Sequence, residues 1–167
     1  IIQQEQIVLE PAIRNTAPCI LYASLKIKKQ NPDAVMVVAP SDHWIEDEVQ
    51  FCSNLQYAFD FCERDENLMT LGILPTFANT GYGYIEFDKL DSRPIKKVKQ
   101  FREKPDYATA RKFIQSRNFL WNAGIFVWSA KSVLKAYEEF QPVMYDHFMN
   151  GYEALNTPKE EAFIKDN

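Results

Sequence analysis

The chain has 167 residues, 46% hydrophobic and 25% charged, with a net charge of −4, so it can bury one substantial core and reads as a soluble globular protein. Its Lys and Arg are scattered and form no basic run, which excludes a nucleic-acid surface built on clustered cations, and no apolar run reaches the ~20 residues that cross a bilayer. Cys19, Cys52 and Cys62 are odd in number and form no C-x-x-C pair, which points to free thiols in a reducing cytoplasm rather than a disulfide framework.

In chain order, Ile7-Val-Leu9 is a short apolar run that predicts a strand ending at Glu10-Pro11. Asn15 and Thr16 are good N-cap residues, and Pro18 suits a first helical turn. The stripe Ile20, Leu21, Leu25, Ile27 predicts a helix to about Gln30, stopped by Asn31-Pro-Asp33. Ala34 to Ala39 is continuously apolar and rich in β-branched residues, the wording of a strand covered on both faces. Val49, Leu55, Phe59 and Cys62 predict a helix between Asp47 and Arg64. Further strands are predicted over 68–74, over 82–87 (entered through glycines), and over 95–102, where alternation suggests an antiparallel strand with one wet face. Asp106 caps a helix over 108–116. A strand over 121–127 follows, then a helix capped by Ser129 that runs through Phe140, and Pro142 opens a last helix. The segments 35–39, 69–73 and 122–127 are expected at the centre of the sheet. Strand–helix alternation with a few antiparallel strands predicts an α/β domain with a mixed, mostly parallel sheet between helices.

Several polar residues sit beside these strands where a ligand would need them. Asp42 follows the apolar run 34–39 on a Pro-Ser turn, at the strand end where open α/β sheets bind ligands. From position alone a Mg²⁺ ligand and a cap for the next helix weigh equally. For His43, with only His147 as a second histidine and no Cys/His spacing, a structural role outweighs metal binding. Lys104 precedes Pro105, which disfavours helical backbone and restricts where the lysine points; an exposed turn lysine is the commoner role of an arbitrary E-K-P. Gly81 and Gly83 bracket Tyr82 and leave room beside a strand, for a ligand or for a β-bulge. Asn122 lies mid-strand, where its amide must find partners. Arg14, Asn15 and Thr16 sit at a helix N-terminus, which needs a cap and also suits anions.

Taken together, Glu10-Pro-Ala-Ile-Arg-Asn-Thr-Ala-Pro18, Ala39-Pro-Ser-Asp-His43, Thr80-Gly-Tyr-Gly-Tyr-Ile-Glu86, Phe101-Arg-Glu-Lys-Pro-Asp106 and Trp121-Asn-Ala-Gly-Ile-Phe126 resemble the sugar-1-phosphate nucleotidyltransferases. Within that superfamily they most resemble the mannose-1-phosphate guanylyltransferases, or GDP-mannose pyrophosphorylases. The resemblance implies a Rossmann-like α/β/α fold, transfer of GMP from GTP to mannose 1-phosphate, and a Mg²⁺ cofactor held by Asp42. It places Lys104 on the sugar phosphate as a catalytic cation beside Asp42, and Glu103, Gly83 and Asn122 on the sugar. Arg14, Asn15 and Thr16 then line the nucleotide pocket, and the E-P-x-x-R-N-T-A-P wording points to GTP. The family's glycine-rich G-G-x-G-x-R loop and its second metal aspartate are not in the chain, so residues 1–167 read as the central and C-terminal part of one catalytic domain, with little activity alone. A different sugar phosphate and nucleotide pair, or a non-catalytic sugar-phosphate-binding or regulatory module, are the alternatives; self-association is left open.

Overall fold

A computed structural model describes residue 3 and residues 6–166. Among the described residues, three of the helices begin at a side-chain cap. Helix α1 (Thr16–Gln30) ends at Asn31, whose backbone N–H donates to Ile27 O. Strand β1 (Val35–Val38) is followed by α2 (Glu48–Arg64), whose first turn is capped by the Asp47 carboxylate accepting from Gln50 N at 2.9 Å. Strands β2 (Leu68–Ile73), β3 (Tyr84–Phe87) and β4 (Val98–Arg102) precede α3 (Tyr107–Ser116). Asp106 caps α3 by accepting from Thr109 N at 2.7 Å, and that donor, then the Thr109 hydroxyl, holds its carboxyl below the usual carboxylate range. Strand β5 (Phe119–Ser129) runs into α4 (Ala130–Phe140), capped by Ser129 accepting from Ser132 N at 3.0 Å. Pro142 opens α5 (Pro142–Met149), where its missing N–H costs nothing. A 3-10 turn over Tyr152–Ala154 and α6 (Glu160–Asp166) complete the chain.

Five strands form one sheet in the order β1-β5-β3-β4, with β2 also pairing β5. β3 runs antiparallel to both β4 and β5, with Tyr84 opposite Arg102 on one side and Trp121 on the other. The fold is thus mixed α/β, and β4 is antiparallel as its alternation predicts. Two expectations are corrected. Of the three segments expected at the centre only β5 is interior, because β1 ends the strand path and β2 pairs β5 alone; the other interior strand is β3, between β5 and β4. Covering of β1 on both faces is not found either, since Val37 is 39% exposed; a continuous apolar run signals burial on both faces only where a layer lies on each side. Ile7, Val8 and Leu9 form no strand among the described residues, and their side chains are exposed. No described strand offers them ladder partners, and without those a lone strand is not stable in water.

The chain divides into two compact units, one of Ile1–Val38, Trp44–Met69 and Val127–Asn167, the other of Ala39–His43 and Thr70–Phe126. The division falls within β2 and within β5. In the first unit α1 packs on α4 and α5. Leu21, Leu25, Val133, Leu134 and Leu155 are buried there, each worth about 1.5–3 kcal/mol of transfer free energy. Glu160 ties α6 to α1 by accepting from Tyr22 Oη and Lys26 Nζ, while its second oxygen accepts from Asn156 N at 2.6 Å. In the second unit the core is Tyr84, Ala110, Phe119 and Trp121, with Phe113 stacked on Phe119 at 3.9 Å.

Candidate functional site

The second unit gathers the candidate sugar-side residues around β5. Along that strand Phe119, Trp121, Ala123 and Ile125 are buried, while Leu120, Asn122 and Gly124 between them are half-buried. Strand geometry puts the second set on one face. The backbone N–H of Asn122 donates to Gly83 O at 2.8 Å, which locks the glycine against β5. A Cβ built on Gly83 would stand 2.9 Å from Glu103 Oε2, 3.6 Å from Asn122 Cβ and 3.9 Å from Asn122 Nδ2. Three of the candidates, Gly83, Glu103 and Asn122, therefore border one small space. The Asn122 Oδ1 accepts from Gly124 N at 3.0 Å, which leaves Nδ2 as the available donor. Glu103 supplies acceptors only, so the space is flanked by a donor and an acceptor. Sugar hydroxyls, which both donate and accept, match such a pair.

Lys104 stands next to this space. Its ammonium lies 3.3 Å from Glu103 Oε1, and both side chains are exposed. The residue has φ +37°, a left-handed conformation that is strained for a lysine. As expected before Pro105, it is not helical; that the restriction takes the form of positive φ is what the structure adds. Beyond it a cleft of about 400 Å³ opens, lined by Arg102, Glu103, Pro105, Asp106 and Thr109.

Asp42 lies in the same unit, in a turn of Ser41 and Asp42 after β1. Gly124, at φ +67°, lets this segment approach β5, since a Cβ there would stand 3.4 Å from Pro40 Cγ. The turn is thus placed beside β5, two residues along from Asn122. The Asp42 side chain is exposed and has no hydrogen bond or ion pair with any described residue. Asp47, not Asp42, caps α2, which removes the competing role. One unpaired carboxylate suits Mg²⁺, which commonly takes one or two carboxylates and completes its shell with phosphate oxygens and water. No group of three or more His, Cys, Asp or Glu is arranged for a metal among the described residues. His43 is exposed and makes no hydrogen bond there, so the structural role expected of it is not seen.

Arg14, Asn15 and Thr16 belong to the first unit, at the start of α1. Thr16 is the first helical residue and Asn15 the cap position, but Asn15 has φ +67°, ψ −175° and its side chain caps nothing. A capping side chain needs the extended backbone that Asn15 lacks, so the predicted cap is corrected. Arg14 lines a cavity of about 240 Å³ with Glu10, Tyr22, His147, Phe148 and Phe163. The close approach of Pro40 to β5 went unread in the sequence; its one signal is a glycine inside an apolar strand, which marks a bulge or a close backbone neighbour.

Residues 2–164 match the family described as nucleotidyl transferase. A curated relative from Escherichia coli, named mannose-1-phosphate guanylyltransferase, is 38% identical over 142 residues, 81% of this chain and 30% of its own length. The solved structure of a Thermus thermophilus protein described as mannose-1-phosphate geranyltransferase superposes with a TM-score of 0.80 at 24% identity, over 93% of this chain and 45% of that one. A Helicobacter pylori structure described as mannose-6-phosphate isomerase gives a TM-score of 0.74 at 31% identity, over 87% of this chain and 53% of that one. The chain spans about a third of the length of the curated relatives it matches.

Proposed function

The chain belongs to the nucleotidyl transferase family, and on that premise we propose that it carries the sugar-phosphate side of a mannose-1-phosphate guanylyltransferase, which transfers GMP from GTP to mannose 1-phosphate. The E. coli relative bears that name, and the H. pylori neighbour is named for another mannose phosphate. The observation that carries the reading is the convergence of Gly83, Glu103 and Asn122 on one space, with Lys104 beside it.

In this reaction a phosphate oxygen of the sugar phosphate attacks the α-phosphorus of GTP. The new P–O bond forms as the α–β bridging bond breaks, and pyrophosphate departs with the electron pair. No covalent bond to the protein is required, so its residues position the reactants and neutralise charge. Glu103 accepts from sugar hydroxyls, Asn122 donates through Nδ2, and Gly83 leaves space for the ring. The Lys104 ammonium binds the sugar phosphate. Its exposed pair with Glu103 is worth only about 0–1 kcal/mol, so it can turn to a phosphate dianion at little cost. Arg14, Asn15 and Thr16 take the nucleotide. Asp42 would hold Mg²⁺, which would supply charge neutralisation at the triphosphate. The exposed free thiols of Cys19 and Cys52 favour a reducing cytoplasm as the location.

Pyrophosphate release by the protein carrying this chain, measured over a panel of nucleotides and sugar phosphates, tests the reading. GTP with mannose 1-phosphate should be the fastest pair. Faster release with glucose 1-phosphate, UTP or dTTP would keep the reaction and change the substrates. No release with any pair, but retained sugar-phosphate binding, would make the protein a binding module.

A further inference from the structure

We propose that Tyr84 is a positioning residue for the sugar site, acting through its hydroxyl on the turn that carries Gly83. The proposal rests on the sugar-phosphate reading above. Tyr84 is fully buried, in the core cluster with Ala110, Phe119 and Trp121, and its ring lies 5.3 Å from that of Phe113. A phenylalanine would fill that volume equally well. The hydroxyl has a separate task. It accepts from Asn79 N at 3.0 Å and donates to Asn79 O at 2.9 Å. Both backbone groups of one residue are thereby fastened to a ring that cannot move without opening the core.

Asn79 begins the turn that leads through Thr80, Gly81 and Tyr82 to Gly83. Its own side chain holds the next part, with Oδ1 accepting from Gly81 N at 2.7 Å. Tyr82 rests edge-on against Trp121 at 5.2 Å, and Gly83 O accepts from Asn122 N at 2.8 Å. The turn is thus fixed at its start by the Tyr84 hydroxyl and at its end by β5. Two glycines within five residues make the backbone between these points otherwise loose. Glu103 Oε2 would lie 2.9 Å from a Cβ on Gly83, so a drift of the turn by a few tenths of an ångström changes the space that the sugar would enter. Tyr84 touches no substrate in this scheme. It sets where Gly83 stands.

The test is Tyr84→Phe in the protein carrying this chain, with mannose 1-phosphate and GTP titrated separately by calorimetry and with hydrogen exchange followed residue by residue. The expected result is a mannose 1-phosphate affinity weaker by about 5- to 20-fold with GTP affinity within about twofold of wild type, because only pre-organisation of the sugar side is lost. Amide exchange should accelerate at Asn79 and Gly81 and stay slow at Ala110 and Leu120. Val133→Ala, a core truncation in the other unit, controls for general destabilisation: it should lower the melting temperature and leave mannose 1-phosphate affinity unchanged. Wild-type affinity in Tyr84→Phe would overturn the positioning role and leave the sugar site standing. Equal weakening by both variants would make Tyr84 a core residue like any other. Absence of mannose 1-phosphate binding in the wild type would overturn the sugar reading and this role with it.

Discussion

Gly83 and Glu103 stand so close that a single added methyl on the glycine would come within 2.9 Å of the carboxylate oxygen Oε2. The carboxylate is the free end of an exposed side chain, and Gly83 needs no positive φ. Gly83→Ala therefore costs the fold little, because the Glu103 tip swings away, and costs the site its shape. Thermal unfolding should show a loss below about 1 kcal/mol, the size of an ordinary surface change. The KM for mannose 1-phosphate should rise about tenfold or more, since a displacement of this order undoes orientation. An unchanged KM would show that the space above Gly83 takes no sugar.

Lys104 allows strain and charge to be separated. Its φ of +37° is unfavourable for any residue with a Cβ, so Lys104→Gly should be more stable than Lys104→Ala by roughly 1 kcal/mol. Both variants lose the ammonium, and both should lose kcat/KM for mannose 1-phosphate to a similar extent while GTP affinity changes less. Lys104→Arg should rescue poorly, because a planar fork does not replace a compact ammonium. Equal stabilities of the glycine and alanine variants, read from denaturant midpoints, would contradict the strained backbone.

Asp42 makes no bond within the described residues, so Asp42→Asn should unfold as the wild type does. Turnover should nevertheless fall by on the order of 100-fold or more, as for other losses of a preorganised charge contact. Raising Mg²⁺ should restore only part of it. Wild-type turnover in the variant would leave Asp42 as an exposed turn residue and nothing more.

Much of this was legible in the sequence, for local reasons. Asp106 and Ser129 each stand one residue before a helix and accept from the backbone N–H three residues on, so cap chemistry locates two helix starts. Asp47 caps α2 in the same way, although the sequence announces that helix by its apolar period and offers Asp42 as the cap. Asn15 failed by the same rule, because its φ is set by the turn and not by residue type. The strand expected from Ile7 to Leu9 failed because pairing is a property of neighbours, and none of the described strands lies beside it. Helix α6 went unread: its position depends on Glu160 reaching Tyr22 and Lys26 more than 130 residues away, and no local pattern announces that. The site shows the same division. Glu103, Lys104 and Asn122 stand out by type and place, whereas the Tyr84–Asn79 fastening and the Pro40–Gly124 approach exist only in the fold.

The Glu160 contacts give a pH prediction. Burial works against the charged form, but Lys26, Tyr22 and the Asn156 N–H together overcome it, and the carboxyl sits below its ordinary value of 4.5. A carboxyl lowered in the folded state adds stability that is present above the unfolded value and is lost as pH falls through the folded one. Wild-type stability should therefore decline below pH about 4.5, and Glu160→Gln should show a weaker decline there. Near neutral pH that variant should be less stable by roughly 1.5–3 kcal/mol, the scale of a charged hydrogen bond. Identical pH profiles for the two proteins would exclude Glu160 as the source of the acid sensitivity.

The proposal on which the rest depends is one sugar-phosphate site formed by Gly83, Glu103, Lys104 and Asn122. It is tested most directly by titrating mannose 1-phosphate into the ¹⁵N-labelled protein carrying this chain and following each backbone amide. Saturable shifts should concentrate at Gly83, Glu103, Lys104 and Asn122, with none at Arg14, Tyr22 or Phe163 around the cavity of the other unit. Shifts confined to that cavity, with these four amides unmoved at saturation, would contradict the account.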